Sequence, residues 1–173
     1  MNPQHTVPVV DDNGFYMSES HAILPYLCNA YGKDDSLYPK EPKARYLVDH
    51  RLAFNLGTLY QRFLNASMPS VLAKVPIDPE NMEKLKEALQ FTNLFLQKSK
   101  YIAGDQFTIA DIAVIMSLIS LECTNYDLSS FSAVTDYLKK LKAEVKGYDE
   151  LVKPLGEGLA EWFKHMNPNF SWK

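Results

Sequence analysis

The order of apolar and polar positions predicts a β-hairpin at the start of the chain. Residues 6–10 (TVPVV) are β-branched and bounded by turn residues, which is typical of a strand. The Asn13-Gly14 pair favours a hairpin turn because both residues tolerate a positive φ, and residues 15–17 would form the return strand. Pro8 lacks an N–H donor, so one side of the first strand is expected to be unpaired there.

Helical spacing of apolar residues replaces the alternating pattern after residue 18. A first helix is predicted from residues 18–20 to Gly32, which closes it. Residues 34–42 are rich in Asp and Pro and carry no apolar period, so they are interpreted as a linker. The chain is therefore divided into a first segment (1–33), the linker (34–42) and a helical domain (43–173).

The helical domain is expected to be a bundle of about five helices. A long helix is predicted to run to about Met68, with one apolar face formed by Leu52, Leu56, Leu59, Tyr60 and Phe63. Further helices are predicted from Asp78-Pro79, over 108–122 and over 131–145. Short helical pieces, broken near Pro154, are predicted over 148–166.

A complete helix-start signal lies at residues 107–112. Thr108 and Asp111 have the spacing of a capping box, in which each side chain hydrogen-bonds to the backbone of the other. Phe107 and Ile112 are placed to form the hydrophobic staple around it. The helix that follows is apolar on nearly all sides, so it is predicted to be the central, buried helix of the bundle.

Composition then narrows the classes of protein that remain. The 173 residues are 46% apolar and 23% charged, enough for one domain or one domain and part of another. A net charge of -3 provides no general attraction for nucleic acid or anionic membranes. The longest apolar stretch, residues 109–121, is shorter than the roughly 20 residues needed to span a bilayer. Cys28 and Cys123 are too far apart for a zinc motif, so free thiols, no metal and a cytoplasmic location are expected.

Five short motifs stand in order along the chain: NPQHTVP at 2–8, DNG at 12–14, ESHAI at 19–23, YP at 38–39 and FTIAD at 107–111. Together they resemble the motifs of the cytosolic glutathione transferases, most closely those of the insect delta and epsilon classes. Each is weak alone, but their order and spacing are specific. The resemblance implies a mainly α fold: a thioredoxin-like α/β segment, here a β-hairpin plus helix, before an all-helical C-terminal domain. It also implies a homodimer that transfers the thiolate of its co-substrate, glutathione, to hydrophobic electrophiles, without another cofactor.

The resemblance also implies a set of glutathione-binding residues near the start of the chain. Ser20 would hold the γ-glutamyl carboxylate, as a helix N-terminus favours. Glu19 would face the ammonium group. The Val7 main chain would pair with the ligand backbone as an added strand would. The full set is His5, Val7, Pro8, Glu19, Ser20 and His21. The alternatives are a plain helix cap at 19–20 and an exposed loop histidine at position 5.

His21 leaves the class open between delta and epsilon. The delta pattern has arginine at this position, a permanent bidentate partner for a carboxylate, whereas epsilon members often have histidine. A neutral imidazole offers one hydrogen bond and no full charge. Residues 57–61 (GTLYQ) look more delta-like.

The pocket for the hydrophobic co-substrate would be lined from the long helix and the last helix. The candidates are Leu56, Tyr60, Phe63, Met68 and Phe163. Tyr60 is preferred because a phenol both stacks and hydrogen-bonds. The alternative is that these aromatic residues are ordinary core.

No catalytic residue is expected among these 173 residues. In the delta and epsilon classes a serine hydroxyl activates the thiol, and it lies in a first strand–helix–strand portion that the sequence does not include. Two hypotheses therefore stay open beside catalysis: a non-catalytic protein that binds glutathione or a hydrophobic ligand or forms a dimer, and an assembly module.

Overall fold

The computed structural model describes residues 2–172, in which a small β-hairpin precedes a succession of helices. The strands are β1 (Val9–Asp12) and β2 (Phe15–Ser18). The helices are α1 (Ser20–Tyr31), α2 (Pro42–Phe54), α3 (Gln61–Ala73), α4 (Pro79–Leu96), α5 (Ile109–Cys123), α6 (Ser132–Glu144) and α7 (Lys153–Met166). Two π-helical segments, Asn55–Tyr60 and Tyr148–Val152, lie directly before α3 and α7. None of the described helices is long and apolar enough to cross a membrane.

The hairpin is antiparallel and begins three residues later than the sequence pattern predicts. Its register pairs Val9 with Ser18 and Asp12 with Phe15. The turn uses the expected positive φ angles, 52° at Asn13 and 90° at Gly14. The predicted start at residue 6 is wrong because β2 ends at Ser18, where the chain enters α1, and residues 6–8 have no strand left to pair with. The peptide bond between residues 7 and 8 is cis.

Helix α1 ends at Gly32 as predicted. Glycine is needed there because neighbouring backbone atoms lie close to its Cα, and not because the backbone adopts a left-handed conformation. Gly32 has φ -64° and ψ 136°, which is extended backbone. A Cβ atom there would lie 2.4 Å from the Cys28 carbonyl oxygen. Glycine is therefore required by space, not by an unusual dihedral angle. The linker residues 34–41 that follow contain no helix or strand, and α2 begins at Pro42.

The long helix is interrupted by the first π segment, which changes the face that the sequence predicts to be buried. Leu59 and Phe63 are buried, at 0% and 2% exposure, as expected. Leu56 and Tyr60, predicted on the same face, are instead exposed. The wider π turn rotates the chain between α2 and α3, so a regular 3.6-residue period does not describe this stretch. Such segments are frequent at functional sites.

Helix α5 forms the centre of the core, and its capping box is present. Ten of its fifteen residues are buried. The Asp111 carboxylate accepts hydrogen bonds from the Thr108 N–H at 2.8 Å, the Ile102 N–H at 2.9 Å and the Tyr137 hydroxyl at 2.6 Å. The Thr108 hydroxyl gives a fourth at 3.2 Å and accepts from the Ala110 N–H at 3.3 Å. Burial raises the pKa of the Asp111 carboxyl, and these hydrogen bonds oppose that shift.

The last helix and the tail close the bundle over α3 and α5. Two helical pieces occur in this region, as predicted: the second π segment ends at Val152 and α7 begins at Lys153, so the break lies next to Pro154. In the tail, the Trp172 indole N–H donates to the Thr124 carbonyl at 2.9 Å. The Trp172 ring lies 6.1 Å from the Phe63 ring, measured between centroids. The tail thus packs directly on the core behind the long helix.

Gly156 marks a close contact of α7 with α5 and supports a stability prediction. A Cβ atom at Gly156 would lie 2.5 Å from Cys123 Sγ and 3.0 Å from Ile119 Cγ2. We expect Gly156→Ala to lower the free energy of unfolding by about 1–3 kcal/mol, because the helices must move apart. Urea denaturation measures the change.

The matched control is Gly158→Ala, two residues along the same helix. A Cβ atom there meets nothing within 4 Å. This variant should be neutral or more stable by up to about 1 kcal/mol, because alanine is the better helix former. Equal destabilisation by both changes would contradict the close contact.

Candidate functional site

The candidate site lies where the hairpin enters α1. Glu19 precedes the helix with φ 69° and ψ 100°, a left-handed conformation that is uncommon for a residue with a side chain. Such a residue costs of order 1–3 kcal/mol and is often found at a binding or catalytic site. Within residues 2–172, no side chain caps the first turn of α1, and that turn contains no acidic residue. Its free N–H groups and positive dipole therefore suit an anionic ligand.

Ser20 and His21 form the first turn of α1 and contact each other. The Ser20 Oγ lies 3.3 Å from His21 Nδ1. His21 is partly buried, and this desolvation lowers the pKa of its imidazole, while the nearby Glu19 carboxylate acts in the opposite direction. His21 is therefore a neutral ring at physiological pH rather than a permanent cation.

A buried asparagine connects this turn to the core. The Asn55 Nδ2 lies 3.1 Å from His21 Nε2. Asn55 begins the π segment and is only 2% exposed. No pattern in the sequence predicts a role for Asn55, because it lies 34 positions from His21 and belongs to no local motif.

The other predicted glutathione residues lie at the same end of the hairpin. Because Val9 pairs with Ser18, the residues just before Val9 and just after Ser18 emerge together. Val7 is 90% exposed, so its backbone is open to an extended ligand. His5 lies farther out, in a loop where the Asn2 side chain donates to the Thr6 carbonyl at 2.9 Å. His5 is exposed and has a φ of 55°.

An apolar stripe runs along the outer face of the long helix, beside the π segment. Its members recur every four residues and are exposed or half-buried: Leu56, Tyr60, Leu64, Met68 and Leu72. Three of the five border a depression of about 390 Å³, together with Asn65 and Pro69. Leu56, Tyr60 and Met68 are among the residues predicted for the pocket. Leu64 and Leu72 are not, although the same spacing of four residues contains them.

Phe63 and Phe163, also predicted for the pocket, lie in the core behind this stripe. They are 2% and 3% exposed, and their rings stack with centroids 6.2 Å apart. The Tyr60 ring stacks on Phe63 at 6.1 Å. The two phenylalanines therefore form a buried stack on which the exposed Tyr60 ring packs. No cluster of three or more metal-binding side chains occurs within the described chain.

Comparison with known proteins defines the class. The family described as "Glutathione S-transferase, C-terminal domain" matches residues 58–145. The chain belongs to the glutathione S-transferase family, and its relatives are of the insect delta and epsilon type, which confirms the resemblance seen in the motifs. The fold is confirmed as a thioredoxin-like piece followed by the helical domain.

Three relatives show how similar the chain is to individual insect glutathione transferases. Glutathione S-transferase D7 of Anopheles gambiae is 40% identical over 166 residues, which cover 95% of this chain and 76% of the relative. A delta-class glutathione transferase structure from Nilaparvata lugens has a TM-score of 0.93 at 45% identity, covering 96% of this chain and 78% of that one. An epsilon-class structure from the housefly Musca domestica has a TM-score of 0.87 at 37% identity, covering 96% and 77%.

Proposed function

We propose that the protein binds glutathione at the start of α1 and conjugates it, through its thiolate sulfur, to hydrophobic electrophiles. The observation that carries this proposal is the uncapped first turn of α1, which follows the left-handed Glu19 and contains Ser20. Glutathione has two carboxylates and one ammonium group. The γ-glutamyl carboxylate would accept from the Ser20 hydroxyl and the free N–H groups, and Glu19 would neutralise the ammonium.

The cysteinyl part of glutathione would lie along the segment before β1. The exposed Val7 backbone offers an N–H and a carbonyl for strand-like pairing. Pro8, directly after it, limits the pairing to one residue because it has no N–H. His5 would lie near the glycyl carboxylate. For the reaction to occur, the thiol would have to face the outer side of the long helix.

The electrophile would bind on the apolar stripe, with Tyr60 as its main contact. Leu56, Met68 and the Tyr60 ring give an apolar surface, and the Tyr60 phenol adds a hydrogen-bonding group to it. A thiolate held beside this surface attacks an electrophilic carbon to form a thioether, and the leaving group departs with its electron pair. Thiol activation requires a hydrogen bond to the sulfur, which favours the thiolate and lowers the pKa of the thiol.

We also propose that the protein is a cytoplasmic homodimer that is closer to the delta class than to the epsilon class. Identity is 45% to the delta-class structure and 37% to the epsilon-class one. His21 is the epsilon-like exception. Both cysteines are free and half-buried.

Binding and turnover are tested separately. Calorimetry with glutathione tests the site, and formation of a thioether from glutathione and chlorodinitrobenzene tests the reaction. Binding with turnover above the uncatalysed rate supports the transferase. Binding without turnover would support the non-catalytic alternative for this chain, and absence of both would contradict the proposal.

Replacement of Tyr60 by alanine is expected to raise KM for the aryl halide about five- to tenfold, because it removes the exposed ring that stacks on Phe63. Affinity for glutathione should stay unchanged. Steady-state kinetics with each substrate varied in turn measure both effects. Leu155→Ala is the control, since this leucine is 62% exposed on α7 and outside the stripe. An unchanged KM in the Tyr60 variant would remove the stripe as the electrophile surface.

A further inference from the structure

A chain of hydrogen bonds connects α5 to the first turn of α1 through Asn55. The Ser117 hydroxyl donates to Asn55 Oδ1 at 2.8 Å. The Asn55 Nδ2 donates to the Ala113 carbonyl at 3.3 Å and lies 3.1 Å from His21 Nε2. Asn55 and Ser117 are 2% and 3% exposed, so neither can exchange these partners for bulk water.

This chain determines which ring nitrogen of His21 carries the proton. A backbone carbonyl only accepts hydrogen bonds, so the side of the Asn55 amide that faces Ala113 must be its NH₂ group. The same NH₂ group faces His21 Nε2, which must therefore accept. A neutral imidazole that accepts at Nε2 carries its proton on Nδ1, and Nδ1 lies 3.3 Å from Ser20 Oγ.

We propose that Asn55 is a positioning residue for glutathione: it holds His21 as the neutral Nδ1–H tautomer, His21 then donates to Ser20 Oγ, and the Ser20 hydroxyl proton is left to donate to the ligand carboxylate. The proposal rests on the proposed function of Ser20. It assigns no contact with the ligand to Asn55, which acts from the core through His21.

Protonation of His21 opposes this arrangement. A proton on Nε2 would place an N–H donor against the Asn55 NH₂ group, and burial also lowers the pKa of the ring. The charged group that acts on His21 is the Glu19 carboxylate, which raises its pKa but does not prevail. Because the pKa is depressed on folding, the contribution of His21 to stability is present above pH 6.5 and is lost as pH falls through the folded-state value.

The first test is the tautomer of His21 in the full chain without ligand. Nuclear magnetic resonance of protein labelled at histidine distinguishes the two tautomers by their ring nitrogen and carbon shifts, and a His21→Gln sample assigns the signal. We expect Nδ1–H. A predominant Nε2–H form would overturn the proposal, and this measurement needs no variant at Asn55.

The second test replaces the hydrogen-bond donor opposite His21 Nε2 by an acceptor and measures the pKa of His21. Asn55→Asp puts an acceptor opposite Nε2, so the His21 pKa should rise from below to above its ordinary 6.5. The contribution of His21 to stability is then present below pH 6.5 and lost as pH rises through the new value. Titration by the same resonance method measures the shift. A His21 pKa that is unchanged or lower in this variant would overturn the proposal.

The third test asks which nitrogen matters for ligand binding. Asparagine at position 21 places an NH₂ group near Nδ1, whereas glutamine places its amide near Nε2. His21→Gln should lower glutathione affinity about tenfold, and His21→Asn should lower it less. The opposite order would overturn the proposal. A wild-type chain that does not bind glutathione would overturn the proposed function itself, whereas an Nε2–H tautomer in a chain that binds would overturn the positioning role alone.

Discussion

Replacement of Asp111 by alanine is expected to lower the free energy of unfolding by about 3–5 kcal/mol. The residue is fully buried and accepts hydrogen bonds from the backbone at 102 and 108 and from the hydroxyls of Thr108 and Tyr137. Alanine leaves these donors unsatisfied in the centre of the molecule. The midpoint of thermal unfolding should fall by about 6–20 °C, as differential scanning calorimetry would show.

Two further variants separate the buried network from simple loss of charge. Tyr137→Phe removes one donor and should cost about 1–3 kcal/mol. Asp136→Ala removes a carboxylate at an exposed position next to it on α6 and should change stability by no more than about 0.5 kcal/mol. If Asp111→Ala were as mild as Asp136→Ala, the network would not hold α5 in place.

Replacement of Ser20 by aspartate is expected to weaken glutathione binding by at least about 100-fold while leaving the fold intact. The change removes the hydroxyl donor and places a negative charge where the γ-glutamyl carboxylate is proposed to bind. The same charge lies in a first turn that contains no acidic residue, so it should stabilise α1 by about 0.3–1 kcal/mol. Calorimetry with glutathione and thermal unfolding measure the two opposite effects.

Ser132→Asp is the matched control, because Ser132 is the first residue of α6 as Ser20 is of α1. That first turn also lacks acidic residues, so similar stabilisation is expected there, without any change in glutathione affinity. If the Ser20 variant kept full affinity for glutathione, the γ-glutamyl carboxylate would not bind at the first turn of α1.

Local signals predicted the parts of the fold that local physics determines. The Asn13-Gly14 turn has the φ angles that these residues tolerate, and the spacing of Thr108 and Asp111 produced a capping box. The start of β1 could not be predicted in the same way. The first residue of β1 is determined by the last residue of its partner strand, β2, where α1 begins. The residues at 6–8 therefore do not determine it.

The π segment and the Asn55 connections show why the rest of the site was missed. A regular 3.6-residue period would place Leu56 and Tyr60 on the same buried face as Leu59. The π segment, which has more residues per turn, exposes both side chains to solvent instead. Asn55 contacts His21 and Ser117 over separations of 34 and 62 positions, and no sequence window contains all three. Its importance follows from burial and from hydrogen-bond direction, both of which require the assembled fold.

The packing of Trp172 on Phe63 also gives the molecule an intrinsic fluorescent probe of its own core. The sequence contains two tryptophans, and the other, Trp162, is 40% exposed on α7. In a chain with Trp162 replaced by phenylalanine, emission would come from the indole that bonds to Thr124 and lies 6.1 Å from the Phe63 ring. Its wavelength would report undocking of the tail, and quenching would report an electron-poor aromatic compound held near Tyr60, without any added label.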